Sequence, residues 1–493
     1  MSRPMPALAG LLLVALLTAA CGTTVQVPGR VTAGGENALQ PGATTGTGGP
    51  LGTASTDGLS ATGTSSGTTG GNGPYAVPGA GGTGAALPSG PGTSAGTRDP
   101  IQIGFITTTL GNAESFGFNA GQSYPDKATY EALLAEYNAQ GGVAGHRIVP
   151  VYGAVDTAGS DWSSQFAAIC AAFTQDNDVK AVIGYLVMFV PSFESCLAKA
   201  QIPHFYGGYQ PGDVVDQQQI PTLIGTGHPT VDGNLLTTLT GALRSGLLTT
   251  STKLGVMVDT CAHGDRAYER TAVPWLKAHR VSYETVIVDC TEGTGDLSSM
   301  AAAVSSAQLR FAQLGVNLVF APGIELFVFM QYAQSQGYEP EYLGATGGAV
   351  IGANAPASQM RHFHGFGWLP SVDVDMQHQP YPQTAAQKAC IAKLVKQGLQ
   401  PRAYNDFMVA YETCDGIELY AKALATHGST QARAVVSGVL AALPSFVGAG
   451  TYGGSQQAAS RQRGGPARYR EYGWTDSCSC LTYRGGVFPV PNP

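Results

Sequence analysis

From Ile101 onward the chain alternates short, continuous apolar runs rich in β-branched residues with longer stretches that are apolar on one side only. Ile101–Thr107 has the unbroken apolar character of a strand buried on both faces. Between Asn119 and Asn138, Tyr130, Leu133, Leu134 and Tyr137 fall on one helical face. The same reading predicts a strand at Arg147–Tyr152, a helix at Trp162–Phe173, a strand at Val179–Gly184, a helix at Pro191–Ala200 and a strand at Ile202–Tyr206. The pattern restarts with a strand at Lys253–Val258 and a helix at Ala267–Ala278. Glu284–Asp289 and Val316–Phe320 follow as strands, each ahead of a helix. Such alternation predicts an α/β chain of two lobes, each a parallel sheet flanked by helices, divided near residues 225–250. In sheets of this kind ligands sit beyond the carboxyl ends of the strands.

The first hundred residues follow a different rule. A basic start (Arg3) and an apolar stretch from Ala7 to Leu17 precede Leu17-Thr18-Ala19-Ala20-Cys21. The stretch is short for a membrane span and suits the core of a secretory signal. The small residues before a cysteine resemble the lipobox of bacterial lipoproteins, which implies cleavage before Cys21 and a lipid on its thiol. Residues 22–98 are nearly all Gly, Thr, Ser, Ala and Pro, with Tyr75 as their single aromatic. They lack the apolar surface to offset chain entropy, and a flexible tether of roughly 50 Å root-mean-square span is expected.

Composition narrows the function. The formal net charge of −7, without any cluster of Lys and Arg, argues against a nucleic-acid partner. Besides Cys21 there are eight cysteines, an even number that in an exported chain reads as disulfides. Eight cysteines allow 105 pairings. The closest-in-sequence scheme joins Cys170 to Cys196, Cys261 to Cys290, Cys390 to Cys414 and Cys478 to Cys480. A zinc site would need paired Cys or Cys/His spacings, and only Cys478-Ser479-Cys480 comes near. No metal or cofactor is expected.

The opening strand, a loop ending in Phe116-Gly117 and a long helix lead to Tyr137-Asn138-Ala139-Gln140-Gly141-Gly142-Val143-Ala144-Gly145. This resembles the first lobe of type I periplasmic binding proteins of the branched-chain amino acid type, and the likeness in element order continues through Tyr404–Leu424 and Arg468–Pro489. The resemblance implies a substrate-binding lipoprotein of an ABC transporter, not an enzyme, whose lobes close on a small solute and then meet a membrane permease. The domain plan it implies is signal and lipobox at 1–21, tether at 22–98, lobe 1 at 99–225, lobe 2 at 226–365, a return to lobe 1 at 366–448 and a return to lobe 2 at 449–493. A monomer held at the outer face of the cell membrane is expected. A sensing or adhesion lipoprotein on the same fold is the alternative. A hydrolase finds little support, since no Gly-x-Ser-x-Gly motif occurs and Asp156, Asp265, Asp289 and Asp406 are scattered.

Two departures from the family bear on the ligand. Relatives that bind amino acids hold the carboxylate with small hydroxyl residues after the third strand. Here that loop reads Tyr185-Leu186-Val187-Met188-Phe189-Val190-Pro191-Ser192. Relatives hold the amino group with an acid in the stretch matching Leu343-Gly344-Ala345-Thr346-Gly347, where no acid stands. A zwitterion would leave charges without partners in a dry cleft, so an apolar or aromatic solute is expected. The candidate ligand-binding residues are Phe116, Tyr185, Phe189, Ser192, Tyr209, His263, Glu325 and Thr346. Asp265 is expected to be an N-cap, and His362-Phe363-His364 a crossing between lobes rather than a metal site.

Overall fold

The computed structural model describes residues 98–109, 121, 123–156, 161–184, 189–208, 212–290, 297–321, 323–374, 384–451 and 463–492. The lipobox, Cys21 and the tether up to residue 97 lie outside them. The first lobe is built on β1 (Arg98–Thr109), β2 (His146–Asp156), β3 (Val179–Gly184), β4 (His204–Tyr206) and β5 (Leu223–Gly225). They form one parallel sheet in the order β2-β1-β3-β4-β5. Ile101, Ile103, Phe105 and Ile106 of β1 are all buried, as a strand covered on both faces requires.

The second sheet contains β6 (Lys253–Asp259), β7 (Ser282–Val288), β8 (Leu318–Phe320), β9 (Glu341–Gly344), β10 (Phe363–Gly367), β11 (Arg468–Thr475) and β12 (Cys480–Pro489). Its order is β12-β11-β10-β9-β8-β6-β7. Strands β6 to β10 pair in parallel, whereas β11 and β12 add an antiparallel edge. Both sheets wind alike, so the direction of winding reverses between β1 and β3 and again between β6 and β8. Those reversals are where an open parallel sheet leaves a crevice.

The helix Asp126–Ala139 buries Tyr130, Leu133, Leu134 and Tyr137, the face read from the sequence. It starts at Asp126 rather than Asn119, directly after Pro125, whose ring presets the first turn. Its end is closed by Gly141 and Gly142, with the Gly142 N–H on the Tyr137 carbonyl at 2.8 Å. Gly142 has φ +76°, and a Cβ there would lie 1.9 Å from the His146 carbonyl oxygen, so only glycine fits.

Three expectations are corrected. The stretch near 225–250 is not a bare divide but holds the helix Val231–Arg244. The helix expected at Ala267–Ala278 begins earlier, at Ala262 with Cys261 as N-cap, so Asp265 lies in its first turn instead of capping it. His362-Phe363-His364 is no crossing. Phe363 opens β10, an interior strand paired to β9 and β11, and both histidines bond Glu341, at 3.2 and 2.8 Å.

The chain crosses between the lobes after β5, after β10 and again before β11. Between the second and third crossings the helix Tyr404–His427 packs on β3 and on Asp126–Ala139, within the first lobe. Disulfides join Cys170 to Cys196, Cys261 to Cys290, Cys390 to Cys414 and Cys478 to Cys480, with Cα separations of 6.4, 4.8, 6.1 and 5.1 Å. This is the closest-in-sequence scheme. Cys261 and Cys290 emerge at the same end of the adjacent strands β6 and β7.

Candidate functional site

The two winding reversals place the ends of β3 and β4 opposite those of β6 and β8. Phe189 follows β3, just ahead of the helix Pro191–Lys199, and is 1% exposed. Its ring meets Tyr206 at the end of β4 edge-on, at 6.2 Å and 71°. It also meets His263 of the second lobe edge-on, at 5.5 Å and 78°. Behind it Tyr206, His204, Phe193 and Phe166 continue a series of ring contacts into the first lobe. Burial pushes the His263 imidazole down to about 4, a shift that Asp213 opposes and Arg266 reinforces. At neutral pH the Phe189–His263 contact itself is therefore aromatic and uncharged.

Ion pairs border this face. Asp213 caps the helix Val214–Gln219 of the first lobe in a capping box with Asp216. From the second lobe, Arg266 Nε donates to Asp213 Oδ2 at 2.9 Å and its Nη2 to Asp216 Oδ1 at 2.8 Å. Arg270 donates to Asp213 Oδ2 at 3.3 Å and to Asp232 Oδ1 at 2.6 Å. Burial pushes the Asp213 carboxyl up, but the Arg266 hydrogen bond, the Asp216 N–H and the charges of Arg266 and Arg270 together hold it below its usual range. The same burial, with the neighbouring Asp213 charge, raises Asp216.

Two acids stand at the ends of the neighbouring strands β6 and β8. Burial lifts Asp259 to about 6, partly offset by the Cys261 N–H that it accepts at 3.0 Å. Burial followed by the Asp259 charge lifts Glu325 to about 7, and Glu325 Oε2 has no hydrogen-bond partner among the described residues. Glu325 opens the helix Glu325–Ser335, where the helix dipole favours an anion.

No protein-family model and no curated protein sequence matches this chain. Solved structures do. A leucine-binding protein, LivK, of Thermotoga maritima superimposes with a TM-score of 0.57 at 12% identity, over 79% of this chain and 99% of that one. The branched-chain amino acid transporter substrate-binding protein LivJ of Streptococcus pneumoniae, solved with isoleucine, gives 0.55 at 16% identity, over 79% and 99%. A solute-binding protein of an ABC transporter from Rhodopseudomonas palustris HaA2, solved with p-hydroxybenzoic acid, gives 0.56 at 17%, over 80% and 98%. The chain has the type I periplasmic-binding-protein fold.

The residues just described stand at the strand ends where the two sheets reverse their winding. Of the residues expected there, Phe189 and His263 are brought into contact, and Glu325 lies on the wall of the second lobe beside Asp259. Ser192 is exposed in the first turn of its helix. Phe116, Tyr185 and Tyr209 lie outside the described residues. Thr346 is engaged with the protein itself, since its hydroxyl donates to Asp373 Oδ1 and accepts the Leu369 N–H at 3.2 Å.

Asp373 amends the reading of that stretch. No acid lies within Leu343–Gly347, but the second crossing delivers one to it from 27 residues away. Asp373 Oδ1 also accepts the Gly347 N–H at 3.1 Å, and burial raises the carboxyl to about 8. Sequence reasoning missed Asp373 because nothing in its neighbours marks it. Asp213 carried a legible signal, the N-cap pattern Asp213-Val214-Val215-Asp216, and Arg266 and Arg270 sit at helical i,i+4 spacing. A further interlobe opening of about 620 Å³ lies between Arg402, Tyr404 and Phe407 of the first lobe and Ala349, Trp474 and Leu481 of the second.

Proposed function

We propose that this chain is a lipid-anchored extracytoplasmic receptor that takes one small, apolar or aromatic solute between its lobes and presents it to the permease of an ABC transporter. The observation that carries the reading is the Phe189–His263 contact. It sets the first lobe's aromatic face against an uncharged His263 of the second, at the strand ends where this fold forms its crevice. A solute parting these rings gains what they gain from each other. About 100 Å² of extra apolar ligand surface is worth roughly 2.5 kcal/mol, more than the roughly 0.5–1.5 kcal/mol net of a neutral hydrogen bond. The Rhodopseudomonas protein solved with p-hydroxybenzoic acid supports an aromatic solute on this fold, and the apolar residues 186–190 favour it over an ordinary amino acid. Thr346 and Asp373, bonded to each other, leave the amino-group position of relatives already occupied.

A thermal-shift panel tests the ligand class: benzoates, phenols and short apolar acids should raise Tm. Stabilisation by leucine, valine or glutamate alone would contradict it. The anchor is tested separately. Cys21→Ser should move the protein from the membrane to the soluble fraction, and continued membrane retention would refute the lipid.

A further inference from the structure

The three interlobe crossings meet around Glu412 and Asp415 of the helix Tyr404–His427, two of them contacting these carboxyl groups directly. From the first crossing, His228 Nε2 lies 3.6 Å from Glu412 Oε1. From the second, Trp368 meets the His228 ring edge-on at 6.0 Å and 89°. From the third, the N–H groups of Ala449 and Gly450 donate to Asp415, one turn along, at 2.6 and 2.9 Å. Glu412 is 1% exposed, and neither of its oxygens has a hydrogen-bond partner among the described residues. Backbone closes over both oxygens: a Cβ at Gly227 would lie 2.3 Å from Oε1, and one at Gly207 2.5 Å from Oε2. The one ion-pair neighbour of Glu412 among the described residues is the His228 ring, itself buried, and Glu412 caps no helix.

We propose that Glu412 is a proton-operated hinge: the lobes close around its neutral carboxylic acid and part when water enters and takes its proton. An ionised carboxylate without partners at this depth costs several kcal/mol. Rotation of the lobes about the crossings admits water to the carboxyl and removes that cost. The groups that face Glu412 supply no counter-charge. Burial pushes His228 down to about 3, so it is neutral. Asp415 adds only repulsion, and burial raises it to about 7. Gly207, at the end of β4, and Trp368, Ala449 and Gly450, on the crossings, are uncharged, and Asp373 of the second crossing is engaged with Thr346 and Gly347. Burial, then Asp415, raises Glu412 well above the usual carboxylate range.

The sign follows from that raised value. The advantage of the closed form is complete at acid pH, below the titration of a solvated glutamate. It is lost as pH rises through the titration of the closed state. Energy transfer between a donor on one lobe and an acceptor on the other, in the full chain without solute from pH 4 to 9, reads this directly. The wild type should open as pH rises, the closed-to-open ratio falling up to about tenfold per pH unit for one proton. Glu412→Gln, fixed in the neutral form, should stay closed with its slope abolished. A lobe distance that ignores pH, or a slope that survives Glu412→Gln, would overturn the proposal. Should that variant fail to fold, infrared difference spectra of the wild type decide. A protonated-carboxyl band present at neutral pH and lost on opening supports the hinge, and its absence refutes it. No solute enters these measurements, so solute binding stands or falls separately.

Discussion

At the scale of single residues, burial decides what each side chain of the cleft can do. Phe189 looked from the sequence like a wall facing an open cleft, yet it is enclosed between Tyr206 and His263. Phe189→Asp would place an unpaired charge there and report stability rather than affinity. Phe189→Leu keeps the apolar volume and loses the edge-on ring contacts, which are worth about 0.5–1.5 kcal/mol. It should lower affinity for an aromatic solute roughly tenfold while Tm falls only slightly, whereas Phe189→Ala should cost about 3–5 kcal/mol of stability. Titration calorimetry beside thermal unfolding separates the two, and unchanged affinity in Phe189→Leu would remove Phe189 from the site. His263 was legible because it follows a strand end. The Thr346–Asp373 bond was not, because no local pattern links residues so far apart.

At the scale of elements, strands were easier to read than helices. The interior parallel strands show as unbroken apolar runs because both faces are covered, and β1, β3 and β6 fall where those runs lie. The helix Val231–Arg244 places Val231, Leu235, Leu239 and Ala242 at helical spacing, but Gly233, Gly241 and the run of threonines weaken the signal, and its polar Asp232, Thr237 and Thr238 are buried as well. Gly241 sits there because a Cβ would lie 2.2 Å from the Phe366 ring. The cysteines were legible in number and spacing, and their pairing shows what each clamps. Cys390–Cys414 ties the helix Ala385–Lys396 to Tyr404–His427, which carries Glu412 and Asp415, across a separation of 24 residues. By loop entropy, replacing both by alanine should cost roughly 3–4 kcal/mol. The same change at Cys478 and Cys480, two residues apart, should cost about half that. Denaturant midpoints of the two double variants test the order, and a larger loss at 478/480 would contradict it.

At the scale of the whole molecule, two similarly wound sheets face each other across three crossings, so a rotation about those crossings changes little inside either lobe. Closure then depends on what spans the gap: the Phe189–His263 contact, the arginine ties to Asp213 and Asp216, and any solute between them. Exposed ends of such ties are screened by salt, while the buried aromatic face is not. On the proposed reading, selectivity rests with the apolar face. Native mass spectrometry of the protein purified from its own cells without denaturant tests this most directly, by the mass and fragmentation of a retained solute. The account predicts one small apolar or aromatic molecule per chain, released on unfolding, and a retained leucine, valine or other zwitterionic amino acid would contradict it.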